Sequence, residues 1–259
     1  MIRGIFTAAS GLGVLQARME ATSNNLANVS TTGFKQDSVQ TAAFPEMMLQ
    51  EKTRANMGGA SVGGWNPIGR TNQGVVVTGV HTDHSPGIIQ ETGKETDLAL
   101  TAEGFFAFEA GGSGENNILY SRDGELHRDS EGYLVNTRGQ RILGESGPVQ
   151  VGEGPFTINS EGVLTTSDNS EIKLTVMDFP DKTKLVKEGN GYFSASDGEG
   201  TAVEKPGVSQ RRLEKSNVDV TAEMVNMMEI ARAYEATQKL VQAQDDLLAK
   251  AINQVGTVR

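Results

Sequence analysis

Apolar residues recur every seven positions at both extreme ends of this 259-residue chain, a spacing that commits those ends to long helices with one apolar seam. Counting by sevens from Ile5 gives Leu12, Met19 and Leu26, and counting from Ala8 gives Leu15, Thr22 and Val29. At the other end Val220, Met227, Tyr234, Val241, Leu248 and Val255 share one register without a miss. Met224, Ala231 and Ile252 add a second column, which Gln238 and Asp245 interrupt. These stripes predict helices over 3–29 and 219–254. Asn217 or Asp219 offers the second helix a cap, Glu223 falls in its first turn, and Glu235 with Lys239 and Asp246 with Lys250 are acid-before-base pairs four residues apart.

The first stripe runs into NNLANVSTTGFK at 24–35. Asn24 and Asn25 lower helicity, and Asn28 and Gly33 both tolerate the left-handed backbone that ends a helix. The bulky Phe34 lies beyond the stop, where it reads as an anchor for the departing chain against a neighbour. The turn is therefore expected to order only in an assembly.

Amphipathic helices more commonly pack on a core of their own chain. Here the stripes occupy both ends, keep a seven-residue pattern and flank a middle that reads as β structure. Helices of ~27 and ~36 residues would run ~40 and ~54 Å at 1.5 Å per residue, well past a small β domain. They are expected to pair as a coiled-coil-like module and to bury their seams on each other and on neighbouring copies. Met224, Met227 and Met228 suit contacts that differ from one neighbour to the next.

Between the helices, residues 36–79 read as an extended, glycine-rich connector, with five glycines between 58 and 69 around the lone Trp65. From 80 to 215 short alternating segments are separated by Asp-Gly, Glu-Gly and Gly-Asn turns, the pattern of an antiparallel β domain. SEGYLVNT at 130–137 and SEGVLTTS at 160–167 repeat at an offset of 30, which suggests a reused hairpin. The expected organisation is thus mainly β with α-helical termini: 1–35 with 216–259, the connector 36–79, and the β domain 80–215.

Chemistry finds little to work with. A net charge of -10 and a pI near 4.9 oppose nucleic-acid binding, which needs clustered Lys and Arg. With no cysteine there is no disulfide, thiolate metal site or thiol nucleophile. No apolar run approaches the ~18 residues of a membrane span, so direct membrane insertion is not expected. Glycines interrupt the apolar N-terminal run before any small-residue cleavage site, which argues against a cleavable signal. His81 and His84 fall on opposite faces of a strand, and the acidic turns lack calcium-loop spacing. Glu125 with Asp129 has the makings of a glycosidase pair, but 33 acidic residues supply such pairs by chance. No phosphate-loop, dinucleotide or nucleophile-elbow motif is present. The reading assigns no catalytic residue, no cofactor and no metal.

SNNLANVSTTGFK at 23–35 and LEKSNVDVTAEMVNMMEIARAYEATQKLVQAQDDLLAKAIN at 213–253 closely resemble the two terminal signatures of the bacterial flagellar rod and hook family. TDHSPGIIQETGKETDLALTAEGFFAF at 82–108, YSRDGELHRDSEGYLVNTRGQRILG at 120–144 and GNGYF at 189–193 are similar to that family's β domain, so the resemblance covers nearly the whole chain. It implies a structural subunit of the flagellar basal body with no catalysis, exported unfolded by the flagellar type III apparatus. It also implies helical assembly into a hollow axial tube, with terminal helices inside and the β domain outside. Copies of itself and other rod and hook proteins would be the partners. The length points to a rod rather than a hook protein, and AFPEMML at 43–49 resembles Gram-positive rod proteins. The connector departs from the usual distal-rod sequence, which leaves both proximal and distal positions open. Three other readings compete: a hook or hook-junction subunit, a cell-wall-acting enzyme, and a soluble adaptor whose end helices bind one foreign partner.

Overall fold

A computed structural model describes residues 2–57, 60–109, 118–167, 169–189, 191–195 and 200–255, with the backbone alone for 2, 3, 52–64, 254 and 255. The chain divides into two compact units. One gathers Met1–Asn24, Asp37–His81 and Thr221–Arg259; the other gathers Asn25–Gln36 and Thr82–Val220. This differs from the three-part expectation in two ways: the helix exit at 25–36 belongs with the β strands, and the connector belongs with the helices.

The first unit holds most of α1, which spans Ile2–Ala27, and of the second long helix, α2, which spans Val220–Lys250 and closes in a π turn over Ala251–Val255. Between them in sequence lie β1 (Asp37–Ala43), β2 (Met47–Met57), β3 (Ala60–Thr71) and β4 (Val75–Thr82). The expected connector is extended, but it pairs with itself. β1 pairs with β4, and β2 with β3 over eleven residue pairs from Met47↔Thr71 to Met57↔Ala60. A register shift between Leu49 and Gln50 absorbs the extra residue of β3. Pairing satisfies backbone groups that a lone extended chain would leave to water.

α1 is covered on two sides. Ala8 and Thr22 are buried and Ile5, Leu12, Leu15 and Met19 half-buried, which follows the seven-residue seam. A second line, Ser10, Val14, Ala17 and Ala21, is also buried or half-buried. Ser10 meets β4, where its Oγ accepts from Val75 N at 3.4 Å and a Cβ built on Gly74 would collide with it.

The second unit is antiparallel β throughout its named pairings. Its largest sheet has six strands in the order Leu185–Gly189, Tyr192–Ala195, Ile118–Ser121, Phe105–Glu109, Val176–Asp178, Thr201–Ala202. A three-stranded sheet, Phe156–Ile158, Val163–Thr166 and Glu171–Lys173, accompanies it. Phe106, Phe108, Leu98, Leu126, Leu134, Ile142, Leu164 and Tyr192 fill the main core, while Phe105, Tyr120, Phe179 and Phe193 form a smaller aromatic cluster. His84 packs its ring 5.6 Å from Phe105 and 5.2 Å from Phe193.

The sequence repeat is a repeated turn. Asp129 and Asn159 each accept from the glycine three residues on, Gly132 and Gly162, and each donates its own N–H to the residue after that glycine. The two glycines have φ of 80° and 78°, the left-handed conformation that closes such a turn without a Cβ clash. The acidic turn around 197–199 lies outside the described residues.

Candidate assembly surface and the docked helix exit

α2 is largely exposed. Its one buried residue is Glu223, among the described residues. Met227, Tyr234, Val241 and Leu248 of the expected seam are half-buried, together with Ile230, Ala231, Thr237, Gln244 and Ala251. Of the expected second column Ala231 is half-buried and Met224 and Ile252 are exposed, so the covered line follows Ile230, Thr237, Gln244 and Ala251 instead. A Cβ on Gly4 would lie 2.7 Å from Gln244 Nε2, so α1 and α2 meet where glycine leaves room. Outside the covered line Met224, Val225, Met228, Leu240, Leu247 and Ile252 face solvent, as does Phe6 of α1. Val220 is 36% exposed, and the side chain of Val255 lies outside the described residues.

The remaining sequence-predicted residues gather at the end of α1, and there they serve their own chain. The last turn tightens through Asn28 N→Asn25 O (3.2 Å), Val29 N→Leu26 O (3.4 Å) and Thr31 N→Asn28 O (3.1 Å). Asn25 is buried, while Asn24 is exposed and Leu26 and Asn28 are half-buried. Gly33 then turns the chain at φ 65° and donates to Glu214 O at 2.9 Å. A Cβ at Gly33 would stand 2.5 Å from Arg122 C and Asp123 N, so only glycine fits. Phe34 is 1% exposed, with the Lys187 ammonium 4.4 Å from its ring centroid. The expected anchor against a neighbour is thus an anchor in the β unit of the same molecule, because 25–36 packs with 82–220.

Around this exit sits a cluster that the sequence reading missed. Lys35 Nζ donates to Glu214 Oε1 at 2.5 Å and to Ser85 O at 2.7 Å, and both charged side chains are withdrawn from solvent. Gly87 N donates to the same Oε1 at 2.8 Å, and Arg122 donates to Oε2 at 3.2 Å. Burial pulls the Lys35 ammonium below its usual range, against the pull of Glu214. Asn217 completes the cluster: its Oδ1 accepts from Gln36 N at 2.8 Å, and its Nδ2 donates to Asp83 O at 2.9 Å and to Ser85 Oγ at 3.0 Å. Close by, Thr32 Oγ1 donates to Asp123 Oδ1 at 2.5 Å, and burial raises that carboxyl above its ordinary value. The signal for this cluster is a lone Lys after Gly-Phe and a lone Glu before Asn-Val, which no periodicity picks out.

Charge is divided between the units. The helical unit carries nine Lys and Arg against nine Asp and Glu, whereas the β unit carries 14 against 24, so the whole net charge of -10 belongs to the β unit.

Three family models match the chain. The flagella basal body rod protein model covers residues 5–35, the flagellar hook protein FlgE/F/G D1 domain model covers 99–153, and the flagellar basal body rod FlgEFG protein C-terminal model covers 209–254. Among curated relatives, the flagellar basal-body rod protein FlgG of Borreliella burgdorferi is 30% identical across 98% of each chain. The chain belongs to the flagellar basal-body rod protein family. FlgG of Bacillus subtilis is 28% identical over 98% of this chain and 99% of its own, and the flagellar hook-basal body complex protein FlhO of the same organism is 30% identical over the full length of both. As a rod-family member the chain is a structural protein of the flagellar basal body and not an enzyme. Its two outer model matches end on the docked exit at 35 and begin just before Glu214, so the buried cluster joins the two terminal family signatures.

Proposed function

We propose that this rod-family protein self-assembles through α1 and α2, which pair in a coiled-coil-like manner with each other and with copies of the same chain. Ile5, Leu12, Met19, Met227, Tyr234, Val241, Leu248 and Val255 are the seam, and other rod and hook proteins continue the stack above and below. In this reading the helices line a hollow axial tube after unfolded export through the type III apparatus, and the β unit lies outside. The observation that carries it is the exposed apolar surface of α2: Met224, Met228, Leu240 and Leu247 are each at least half exposed on a helix of 31 residues. Full burial of such side chains from water is worth about 1.5–3 kcal/mol each, and the half that stays exposed in one molecule is a driving force left unused. A helical unit of zero net charge also lets copies approach there without self-repulsion.

The test is Leu240→Glu with Leu247→Glu in the full-length chain, followed by pelleting and negative-stain microscopy at assembling concentrations. Loss of ordered assemblies, with near-ultraviolet dichroism of the β unit unchanged, is the expected result. Assemblies indistinguishable from wild type would refute the reading.

A further inference from the structure

The chain passes between the two units four times, at 24/25, 36/37, 81/82 and 220/221. Every one of these crossings lies within nine residues of one of the segments 33–36, 83–87 and 214–217, which meet around Lys35, Glu214 and Asn217. We infer that this cluster is a clasp that sets where both helices leave the β unit, and that it is closed in the unassembled chain. Lys35, Glu214 and Asn217 are its positioning residues.

Three segments meet in it: 33–36, 83–87 and 214–217. Glu214, in the last of these, ties it to the other two, because its backbone oxygen holds Gly33 N while its carboxylate holds Gly87 N and the Lys35 ammonium. Asn217 ties the same two segments from the other side: its backbone N donates to Phe34 O at 3.4 Å and its side chain spans Gln36, Asp83 and Ser85. Asp83 N closes the ring by donating to Gln36 O at 2.8 Å. A further strand carries the third charge, since Arg122 reaches Glu214 Oε2 from beside Ser121 of the central sheet. None of these bonds calls on a second molecule. The apolar partner of the clasp, Phe34, is likewise covered within the β unit.

Two consequences follow from the physics. An ion pair removed from water is worth forming only when all its partners are in place, so the clasp closes as a unit or not at all. Lys35 and Glu214 are 179 positions apart, so the exit of α1 is pinned only once the chain before α2 has also folded. The position of both helix roots is thereby set by the folded β unit and not by the neighbouring copies that the helices later meet. This deepens the assembly reading above, yet its test is made on the unassembled chain and stands apart from it.

Hydrogen exchange by mass spectrometry on dilute full-length protein decides the matter. In wild type, residues 29–36 should exchange at the slow rate of the β unit and not at the rate of residues 5–20. Glu214→Gln should accelerate exchange in 33–36 and 85–88 at least tenfold while leaving Phe105–Glu109 and Tyr192–Ala195 unchanged. Should that variant fail to fold, Asn217→Ala removes only neutral hydrogen bonds and is expected to give the same local acceleration. A wild-type exit exchanging as fast as α1 would overturn the clasp. So would variants that accelerate every segment equally, which marks general destabilisation, or that accelerate none.

Discussion

Lys35 and Glu214 lie 179 residues apart in sequence, yet Lys35 Nζ stands 2.5 Å from Glu214 Oε1 with both side chains shut off from solvent. Removing one partner of such a pair leaves the other charge buried, which typically costs about 3–5 kcal/mol. Here Arg122 stays beside the carboxylate, so Lys35→Met should fall toward the lower end of that range. Urea unfolding followed by near-ultraviolet dichroism measures it, and a loss below about 0.5 kcal/mol, the scatter of an ordinary surface substitution, would mean that the pair does not hold the exit.

Gly33 and Gly93 separate two reasons for a glycine. Both have positive φ, 65° and 77°, but a Cβ on Gly33 would strike the backbone of Arg122 and Asp123, whereas nothing stands within 4 Å of one on Gly93. Gly93→Ala should therefore cost about 1 kcal/mol, the price of the left-handed conformation alone. Gly33→Ala should cost clearly more and expose Phe34 to solvent. Equal melting temperatures for the two variants would count against the docked exit.

Asp123 makes a prediction about pH. Its folded-state pKa is raised, chiefly by burial, so the folded protein binds the proton more tightly than the unfolded chain does. The stability it contributes is complete below the unfolded value and is lost as pH rises through the raised folded value. Asp123→Asn keeps an oxygen for Thr32 Oγ1 and Glu125 N, both of which use Oδ1, and it never ionises. The variant should gain stability relative to wild type at pH 7, and the gain should vanish as pH falls toward 4. Melting curves at several pH values test this, and a gain independent of pH would exclude the buried carboxylate as its source.

The charge division predicts how association responds to salt. With the whole net charge of -10 on the β unit, copies repel through that unit while their helical units do not. The screening length falls from about 30 Å at 0.01 M salt to about 10 Å at 0.1 M, so association measured by light scattering should strengthen over that interval. Association that is strongest at the lowest salt would point to attraction between unlike charges instead.

Much of this protein was determined by local pattern. The seven-residue stripes specified α1 and α2, since a 3.6-residue helix must place such positions on one side. Asp-Gly, Glu-Gly and Gly-Asn turns marked the β unit, because left-handed turn positions favour glycine, and the repeat at 130 and 160 proved to be one turn used twice. The pairing of β2 with β3 was masked by glycine content, although Gly58-Gly59 between Met57 and Ala60 is itself a hairpin signal. Only the tertiary structure decided what Phe34 touches, which residues share the second column of α2, and that Lys35 finds Glu214. Each of those is a contact between segments distant in the chain. Spacing describes a residue's neighbours along one element, but a buried ion pair or ring exists only where folded strands remove water from both partners at once.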